Sequence, residues 1–463
     1  MARVNGRCIR EIHGKTNYDF LDGCHIGLRL VCIRWAGVHM ANILTAEISS
    51  RDEELTHPSR SKSLVHTPTA ALAPNRDRRI DVARGMALLM IFVDHIPGNA
   101  LGLATLRNFG FSDAAEIFVF LAGMSAMLAY AKVFERDGMV CGLSRVIRRW
   151  ARIYLFQVGL FLTTCAVVSL WTMHYRLQPS FVAPIINAPI SGLIHGLLLQ
   201  ALPSYLDILP LYLALFAAFP LIYFGVRRNL WVALTASATI WLAANLNPNI
   251  NLPNWIDHGR WFFNPFAWQF LFTIGAALAL PAAIDKRSLP RINWLVWLCI
   301  VYLGFAFLES VPWADWNLPN LRPIALVTPD KTLLAPLRLL DVLSLAYLLL
   351  SSDRLRVLAG QRTFRPFEIC GRHSLEVFAV GCVAALLGRL FFRTYGAGIE
   401  AQIEINVVGI AMMFMVGLWM EKRRTSRSLQ SSPGSAWLRE HRNSVPPLQF
   451  FSTKSPVGHL IKS

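Results

Sequence analysis

The 463-residue chain is 54% hydrophobic and only 16% charged, and its mean hydropathy is +0.43. This composition excludes an ordinary soluble enzyme, whose core would need far less apolar sequence, and it predicts an integral membrane protein. The net charge of +17 would suit a nucleic-acid partner, but the basic residues cluster in alternate loops, which is a topology signal of membrane proteins. We therefore expect no nucleic-acid partner.

The hydropathy pattern predicts an all-α polytopic membrane protein of about ten transmembrane helices, because each apolar segment approaches the roughly 20 residues that cross a ~30 Å hydrocarbon core. Basic loops before the first helix and after every second one predict that both termini are cytoplasmic. The predicted spans are 82–104, 114–134, 151–172, 207–225, 229–246, 264–282, 292–309, 333–350, 374–392 and 403–420.

Three regions follow from this pattern. Residues 1–79 form an N-terminal cytoplasmic extension, either disordered or translated from an over-long reading frame, 80–420 form the membrane domain, and 421–463 form a basic cytoplasmic tail. The eight cysteines form no recognisable framework, so we expect neither disulfides nor a metal site.

The first predicted helix carries ionisable residues that membrane spans normally avoid. Its sequence is RIDVARGMALLMIFVDHIPGN. At 100° per residue, Arg84 and His95 fall within about 20° of one face, and Asp81 and Asn99 lie about 40° to either side. Asp94 lies about 100° away. We predict a polar stripe along this helix.

His95 is the candidate general base, because imidazole titrates near neutrality and a carboxylate can fix its tautomer. Asp94 is the adjacent carboxylate, and Arg84 shares the stripe. A structural alternative stays open for each: His95 as a hydrogen-bonding partner of another helix, and Arg84 as part of the basic cluster before the first span. We predict that all three are catalytic.

The outward ends of the predicted helices carry further candidates. Asp113 and Glu116 fit a capping box at the start of the second helix, yet they lie near the His95 stripe, so we assign Glu116 to catalysis and Asp113 to substrate binding. Asn99, Arg107 and Asp207 are candidate substrate-binding residues on the same side, with helix capping as the alternative for Asp207.

The cytoplasmic side carries a second group. The basic stretch RVIRRWARIY precedes and begins the third helix, and its arginines suit phosphate groups as well as topology. His373 and Glu376 lie at the start of the ninth helix. In the eighth helix, Arg338 and Asp341 are spaced to pair with each other. The predicted substrate-binding residues on this side are Arg148, Arg149, Arg152, His373 and Glu376.

Three predicted outward loops are unusual. Residues 173–206 include the apolar stretch SGLIHGLLLQAL, too short to span and typical of a re-entrant or interfacial helix. The other loops are aromatic, and they suit either an interfacial aromatic belt or a platform for sugar rings. Their aromatic residues are Trp255, His258, Trp261, Phe262, Phe263 and Trp268 in one loop and Trp313 and Trp316 in another.

Several of these motifs resemble a known family. The Arg84-x10-His95 spacing and the RRWARIY segment resemble the membrane-bound acyltransferase-3 superfamily, whose members move acyl groups to extracytoplasmic sugars. Six ordered blocks resemble its OpgC branch, the succinyltransferases of osmoregulated periplasmic glucans, and the resemblance covers roughly 77–420. The blocks are DVARGMALLMIFVDHIPGN, RNFGFSDAAEIFVFLAG, YLDILPLY, FNPFAWQF, DKTLLAPLRLL and GRHSLEVF.

The resemblance implies a multi-pass acyltransferase of the bacterial inner membrane, surrounded by lipid and without a permanently bound cofactor. Cytoplasmic acyl-CoA, expected to be succinyl-CoA, would bind near Arg84 and the arginines of the third helix. A periplasmic glucan hydroxyl would approach His95 from the other side. Asp94 or a carboxylate of another helix would orient the imidazole, and Arg107 or Arg84 would pair with the free carboxylate of the succinyl group. An acyl-enzyme intermediate stays open.

Three rival functions remain. An O-acetyltransferase of another envelope polysaccharide would share every residue above and differ in donor and acceptor. A polysaccharide transporter or flippase would also carry charges within its spans, although no inverted repeat is evident. A purely structural scaffold leaves the polar stripe without a role.

Overall fold

The computed structural model describes residues 77–176, 182–284 and 289–430, and in this part of the chain the fold is helical, without strands. Fourteen α-helices lie within these ranges. They are α1 (Arg78–Asp94), α2 (Ala114–Arg136), α3 (Gly138–Tyr175), α4 (Ala183–Asn187), α5 (Pro189–Leu197), α6 (Ile208–Arg228), α7 (Leu230–Leu246), α8 (Pro265–Ile284), α9 (Asn293–Ser310), α10 (Pro336–Ser351), α11 (Asp353–Ala359), α12 (Arg365–Arg372), α13 (Ser374–Tyr395) and α14 (Ile399–Gln430).

Each of the ten predicted spans overlaps one of these helices. Among the described residues, six helices are long and apolar enough to cross a membrane: α2, α3, α6, α9, α13 and α14. The helices α7 and α8 contain shorter apolar stretches. The all-helical prediction is confirmed, whereas ten spans and cytoplasmic termini stay predictions.

The first helix is shorter than predicted. It ends at Asp94 with His95 as its C-cap, because the following Ile-Pro-Gly sequence stops helical hydrogen bonding: Pro97 disfavours helical geometry in the residue before it, and Gly98 adopts a φ of 80°. A separate 3₁₀ turn covers Ala100–Ala104 and is capped by Asn99. The predicted stripe is therefore wrong for Asn99, which lies beyond the helix.

Two helices extend past their predicted ends. The helix α3 has 38 residues, which at 1.5 Å per residue is about 57 Å and exceeds a hydrocarbon core. Its N-terminal half carries Arg145, Arg148, Arg149 and Arg152. The helix α14 continues to Gln430, beyond the predicted boundary at residue 420.

In the core, neighbouring helices approach until their backbones are in contact, and small residues lie at these crossings. The helices α2 and α8 pack most extensively, and a Cβ added at Gly123 would lie 2.0 Å from the carbonyl oxygen of Phe272. The helices α1 and α12 approach as closely, since a Cβ at Gly371 would lie 1.8 Å from the carbonyl oxygen of Asp81. Small residues allow such contact between membrane helices. This packing fixes the positions of α1 and α2, which carry most of the candidate residues.

The loop after α3, which the sequence predicts to face outward, contains the predicted short helix. SGLIHGLLLQAL lies in and after α5, which has nine residues and is too short to span. The segment Pro312–Leu321 falls outside the compact unit formed by the rest of the described chain. Within that segment, the Trp316 backbone N–H donates to the Pro312 carbonyl at 3.2 Å.

Candidate active site

His95 lies half-buried at the C-terminal end of α1, next to the loop before α6. Its ring centroid is 5.1 Å from that of Tyr205, in an edge-to-face arrangement with an interplanar angle of 63°. The charges of Arg389, Lys331 and Asp113 also act on the imidazole. The predicted base therefore contacts the loop before α6 and experiences charges from three other segments.

Asp94 turns away from the histidine that follows it. Its Oδ1 accepts a hydrogen bond from Thr105 Oγ1 at 2.7 Å and lies 3.5 Å from Nε of Arg107. The Arg107 side chain is 50% exposed. The Asp94 carboxylate therefore contacts two residues of the loop that follows α1. Neither contact involves His95, so the role of Asp94 in orienting the imidazole stays a prediction.

Asp113 and Glu116 form the predicted capping box at the start of α2. The same two carboxylates also bind cations: Arg338 donates through Nε to Glu116 Oε1 at 2.7 Å, and Lys331 Nζ lies 2.5 Å from Asp113 Oδ2. Arg338 therefore pairs with α2, and the predicted pairing with its neighbour is wrong: Asp341 instead accepts hydrogen bonds from the backbone and hydroxyl of Ser112.

Asp113 and Glu116, together with Lys331 and Arg338, form a buried carboxylate cluster. Its carboxylates cap α2 and are also paired with the two cations. Burial raises the pKa of Asp113, but Lys331 and Arg338 outweigh this effect and hold the pKa below its ordinary value. Asp113 is therefore ionised at neutral pH. Burying such charges is tolerable only when they are paired and hydrogen-bonded, as here.

Asp207 precedes α6, and its Oδ2 accepts the backbone N–H of Tyr205 at 3.2 Å. Burial raises the pKa of Asp207 to about 7, although hydrogen bonds and Arg389 oppose the rise. Tyr205 itself has a φ of 76°, a strained conformation for a bulky residue. The Asp207 contact supports the turn that holds the Tyr205 ring against His95.

Arg84 and Asn99 are tied to neighbouring helices. Arg84 donates to the carbonyl of Leu121 at 2.8 Å and to the hydroxyl of Ser125. Asn99 and Asn406 exchange hydrogen bonds of 2.8 Å in both directions. Arg84 thus connects α1 to α2, and Asn99 connects the loop after α1 to α14. Their predicted roles in catalysis and substrate binding stay predictions.

A basic cavity of about 330 Å³ lies at the opposite end of α1 and α13, between α3, α13 and α14. It brings together four of the five residues predicted on that side, whereas Arg148 does not line it. Arg152 pairs with Glu376, and His373 Nε2 lies 2.9 Å from Glu421 Oε2. The lining residues are Arg149, Arg152, Arg372, His373, Ser374, Leu375, Glu376, Met420, Arg423, Arg424 and Arg427.

A narrow cleft continues from this cavity into the helices. It has a volume of about 10 Å³ and shares Arg149, Ser374 and Leu375 with the cavity. Its other walls are Phe118, Ile153, Leu209, Tyr212 and Phe378. Leu209 lies in the first turn of α6, two residues after Asp207, so one wall of the cleft lies close in sequence to the turn that contacts His95.

The aromatic loop is largely occupied by its own packing. Trp261, Phe263 and Trp268 are buried, and the Trp255 ring stacks on His195 at 4.8 Å. Phe262 and His258 remain exposed. Buried rings cannot receive a sugar, so a stacking platform would be restricted to the exposed members.

Three residues near His95 were missed by the sequence reasoning: Tyr205, Lys331 and Arg389. Lys331 lies inside the DKTLLAPLRLL block, which was a usable signal. Arg389 is an arginine within an apolar span, and this is itself a functional signal. Tyr205 begins the YLDILPLY block, but its contact with His95 joins segments that are distant in sequence and could not be read from the block.

None of the curated proteins matches the chain. The sequence model of the OpgC protein family matches residues 76–425, which is most of the chain and includes every described candidate residue. The chain therefore belongs to the OpgC protein family.

Proposed function

We propose that the protein is a membrane-embedded O-acyltransferase that moves a succinyl group from cytoplasmic succinyl-CoA to a hydroxyl of a periplasmic glucan. Membership of the OpgC family supports an acyltransferase-type enzyme that modifies glucans, and the long apolar helices support membrane association. The observation that carries the proposal is the basic cavity continued by a cleft toward the His95 loop.

The cavity suits the nucleotide end of an acyl-CoA. Six arginines line it, and arginine binds phosphate oxygens through charge-assisted, often bidentate hydrogen bonds. Its volume of about 330 Å³ falls at the lower end of small-molecule sites, which span about 300–1,000 Å³. The phosphates would thus be held at the predicted cytoplasmic face.

The cleft suits the pantetheine arm, which is narrow and only moderately polar. Its volume of about 10 Å³ holds roughly one water molecule, so an entering arm has to displace side chains. Phe118 and Tyr212 contact each other with ring centroids 5.3 Å apart, and rotation of these rings would widen the passage. The thioester would then approach the His95 end of α1.

The proposed reaction is a single displacement. A neutral His95 ring nitrogen accepts the proton of the glucan hydroxyl while the hydroxyl oxygen bonds to the thioester carbonyl carbon. The carbon–sulfur bond then breaks, and the imidazolium returns the proton to the coenzyme A thiolate. The products are a glucan succinyl ester and free coenzyme A. Asp113 and Glu116, held by Lys331 and Arg338, contribute a fixed polar wall beside this step.

A deletion strain tests the function. Glucan extracted from it should lack anionic succinyl substituents, and the wild-type gene should restore them, as measured by mass spectrometry and ion-exchange chromatography. Unchanged succinylation together with loss of acetyl groups from another polysaccharide would instead establish the O-acetyltransferase. Loss of periplasmic glucan with transfer activity intact in membranes would establish a transporter.

A further inference from the structure

The basic cavity contains a carboxylate among its cations. Of the described residues that line it, six are arginines, one is a histidine, and Glu376 is the one acidic residue. In the proposed function, on which the following inference rests, this cavity holds the phosphates of acyl-CoA. A carboxylate binds arginine through the same charge-assisted hydrogen bonds as a phosphate does. Glu376 is therefore placed to compete with the donor for a cation.

Glu376 contacts a cation of the cavity itself. It is the third residue of α13, and its carboxylate accepts a hydrogen bond from the guanidinium of Arg152 in α3. Both side chains line the cavity, whereas neither lines the narrow cleft that continues from it. The Arg152 side chain is 52% exposed, and that of Glu376 is 15% exposed. The ion pair thus connects α3 to α13 in the part of the site proposed for the phosphates, where a ligand can reach the arginine.

Another arginine of the cavity is held from outside it. Arg372 Nη1 lies 3.0 Å from Glu421 Oε1, and Arg372 also pairs with Glu368 of its own helix. Neither of these carboxylates is among the described residues that line the cavity. They orient Arg372 from behind the cavity wall, whereas Glu376 holds Arg152 from within the cavity.

The pair between Glu376 and Arg152 stabilises the cavity before the donor arrives. Six arginines in one cavity repel one another, and a carboxylate in contact with one of them lowers this repulsion. An arriving acyl-CoA supplies its own negative charges, because coenzyme A carries a diphosphate and a 3′-phosphate. A phosphate that binds Arg152 has to displace the carboxylate, since like charges repel at such short distances.

We propose that Glu376 is a built-in competitor of the donor phosphates for Arg152 and lowers the affinity of the cavity for coenzyme A and its thioesters. The coenzyme A left after transfer carries the same phosphates as the donor, so the competition acts on the product as well. Affinity differences between related complexes arise mostly in the dissociation rate. Glu376 therefore speeds the release of coenzyme A and limits inhibition by this product.

The test measures binding of free coenzyme A to the full-length protein in nanodiscs, by isothermal titration calorimetry at fixed ionic strength. Glu376→Gln keeps the size of the side chain and removes its charge, so the Kd for coenzyme A should fall about three- to tenfold. The Ki of coenzyme A as a product inhibitor of acyl transfer should fall by the same factor. Damage to the fold would raise both constants, so a purely structural role of Glu376 does not predict this result.

Two further variants separate direct competition from a general effect of charge. Glu135→Gln removes a carboxylate that lies 3.2 Å from Arg227, and neither residue is among those that line the cavity. This matched control should leave the Kd within about twofold of the wild-type value. Arg152→Gln removes the contested cation. In that background, adding Glu376→Gln should change the Kd by less than about twofold, because the contact for which the two anions compete is already absent.

A higher Kd in Glu376→Gln would overturn the inference and make Glu376 a direct ligand of coenzyme A, and an unchanged Kd would overturn it as well. An equal gain in affinity with and without Arg152, or an equal gain in Glu135→Gln, would show a general effect of charge and refute competition for this arginine.

If Glu376→Gln does not fold, Glu376→Asp decides. Its shorter side chain loosens the ion pair and should lower the Kd about two- to threefold, and a Kd that does not fall would overturn the inference. Failure of the wild-type protein to bind coenzyme A would instead refute the donor site of the proposed function, and this inference with it.

Discussion

His95 lies at the C-terminal end of a helix, and the charges of Arg389, Lys331 and Asp113 act on its ring. The C-terminal end of a helix carries partial negative charge, which favours the imidazolium that forms when the base accepts a proton. Burial of the ring acts in the opposite direction and favours the neutral form, and the charges of Arg389 and Lys331 add to this effect. A base needs the neutral form before the reaction and a stabilised cation during it, so this balance suits general-base catalysis.

The contacts of Asp94 lead to a prediction about its role. Asp94→Ala and Thr105→Val both remove the 2.7 Å hydrogen bond between these residues, so both should lower acyl transfer by a similar factor of less than about ten. A carboxylate that oriented the base would instead contribute to a step worth about 10²–10⁴-fold. Initial rates in membranes, normalised to folded protein, distinguish the two. A loss in Asp94→Ala far beyond that of Thr105→Val would show that Asp94 assists His95 directly.

For individual residues, the sequence predicted some contacts and missed others, and each outcome has a physical reason. Local spacing correctly predicted the Asp113–Glu116 capping box, because the partners are three residues apart. It failed for Asn99 because Pro97 and Gly98 end the helix. The contact of Tyr205 with His95 depends on tertiary packing, which spacing along one helix cannot reveal.

Among the elements, α3 most directly links charge to the proposed donor site. Arg149 and Arg152 line the basic cavity, whereas Arg148 is exposed and donates to the Ser144 carbonyl within the same helix. The single variants Arg149→Gln and Arg152→Gln should each raise KM for acyl-CoA about tenfold, with smaller changes in kcat, because each removes a phosphate contact. Arg148→Gln is the matched control. An equal rise in KM for all three variants would show a general effect of basic charge and no defined site.

The crossing of α2 and α8 leads to a prediction about stability. Gly123→Ala places a methyl group 2.0 Å from the Phe272 carbonyl oxygen, and the helices must separate at a cost of about 2 kcal/mol or more. The control Gly159→Ala has no neighbouring atom within 4 Å. Thermal unfolding in detergent should show a clear fall in Tm for the first variant alone. Equal Tm values would contradict the close packing of α2 on α8.

Helix positions were predictable because long apolar segments separated by basic or turn-forming residues are local signals. The ends were less predictable: α3 begins well before residue 151, since its charged first half is helical without being apolar. The cleft between α3, α6 and α13 joins residues from Phe118 to Phe378. Such a passage is a property of helix packing, and hydropathy contains no information about it.

The whole molecule places the basic cavity and His95 at opposite ends of the helix bundle. The basic cavity lies near the start of α13, and His95 lies near the end of α1. If basic loops are cytoplasmic, as the positive-inside rule predicts, the donor enters from the cytoplasm and the acceptor from the periplasm. A soluble transferase has no need for this separation, whereas an enzyme that modifies periplasmic glucan with a cytoplasmic donor requires it.

The most direct test of this account uses sealed proteoliposomes of known protein orientation, with labelled succinyl-CoA on one side and glucan on the other. Wild-type protein should label the glucan only when succinyl-CoA is on the side of the basic cavity, and His95→Ala should lower the rate at least about 100-fold while remaining folded. Labelling by wild-type protein that does not depend on sidedness, or full transfer by a folded His95→Ala variant, would contradict it.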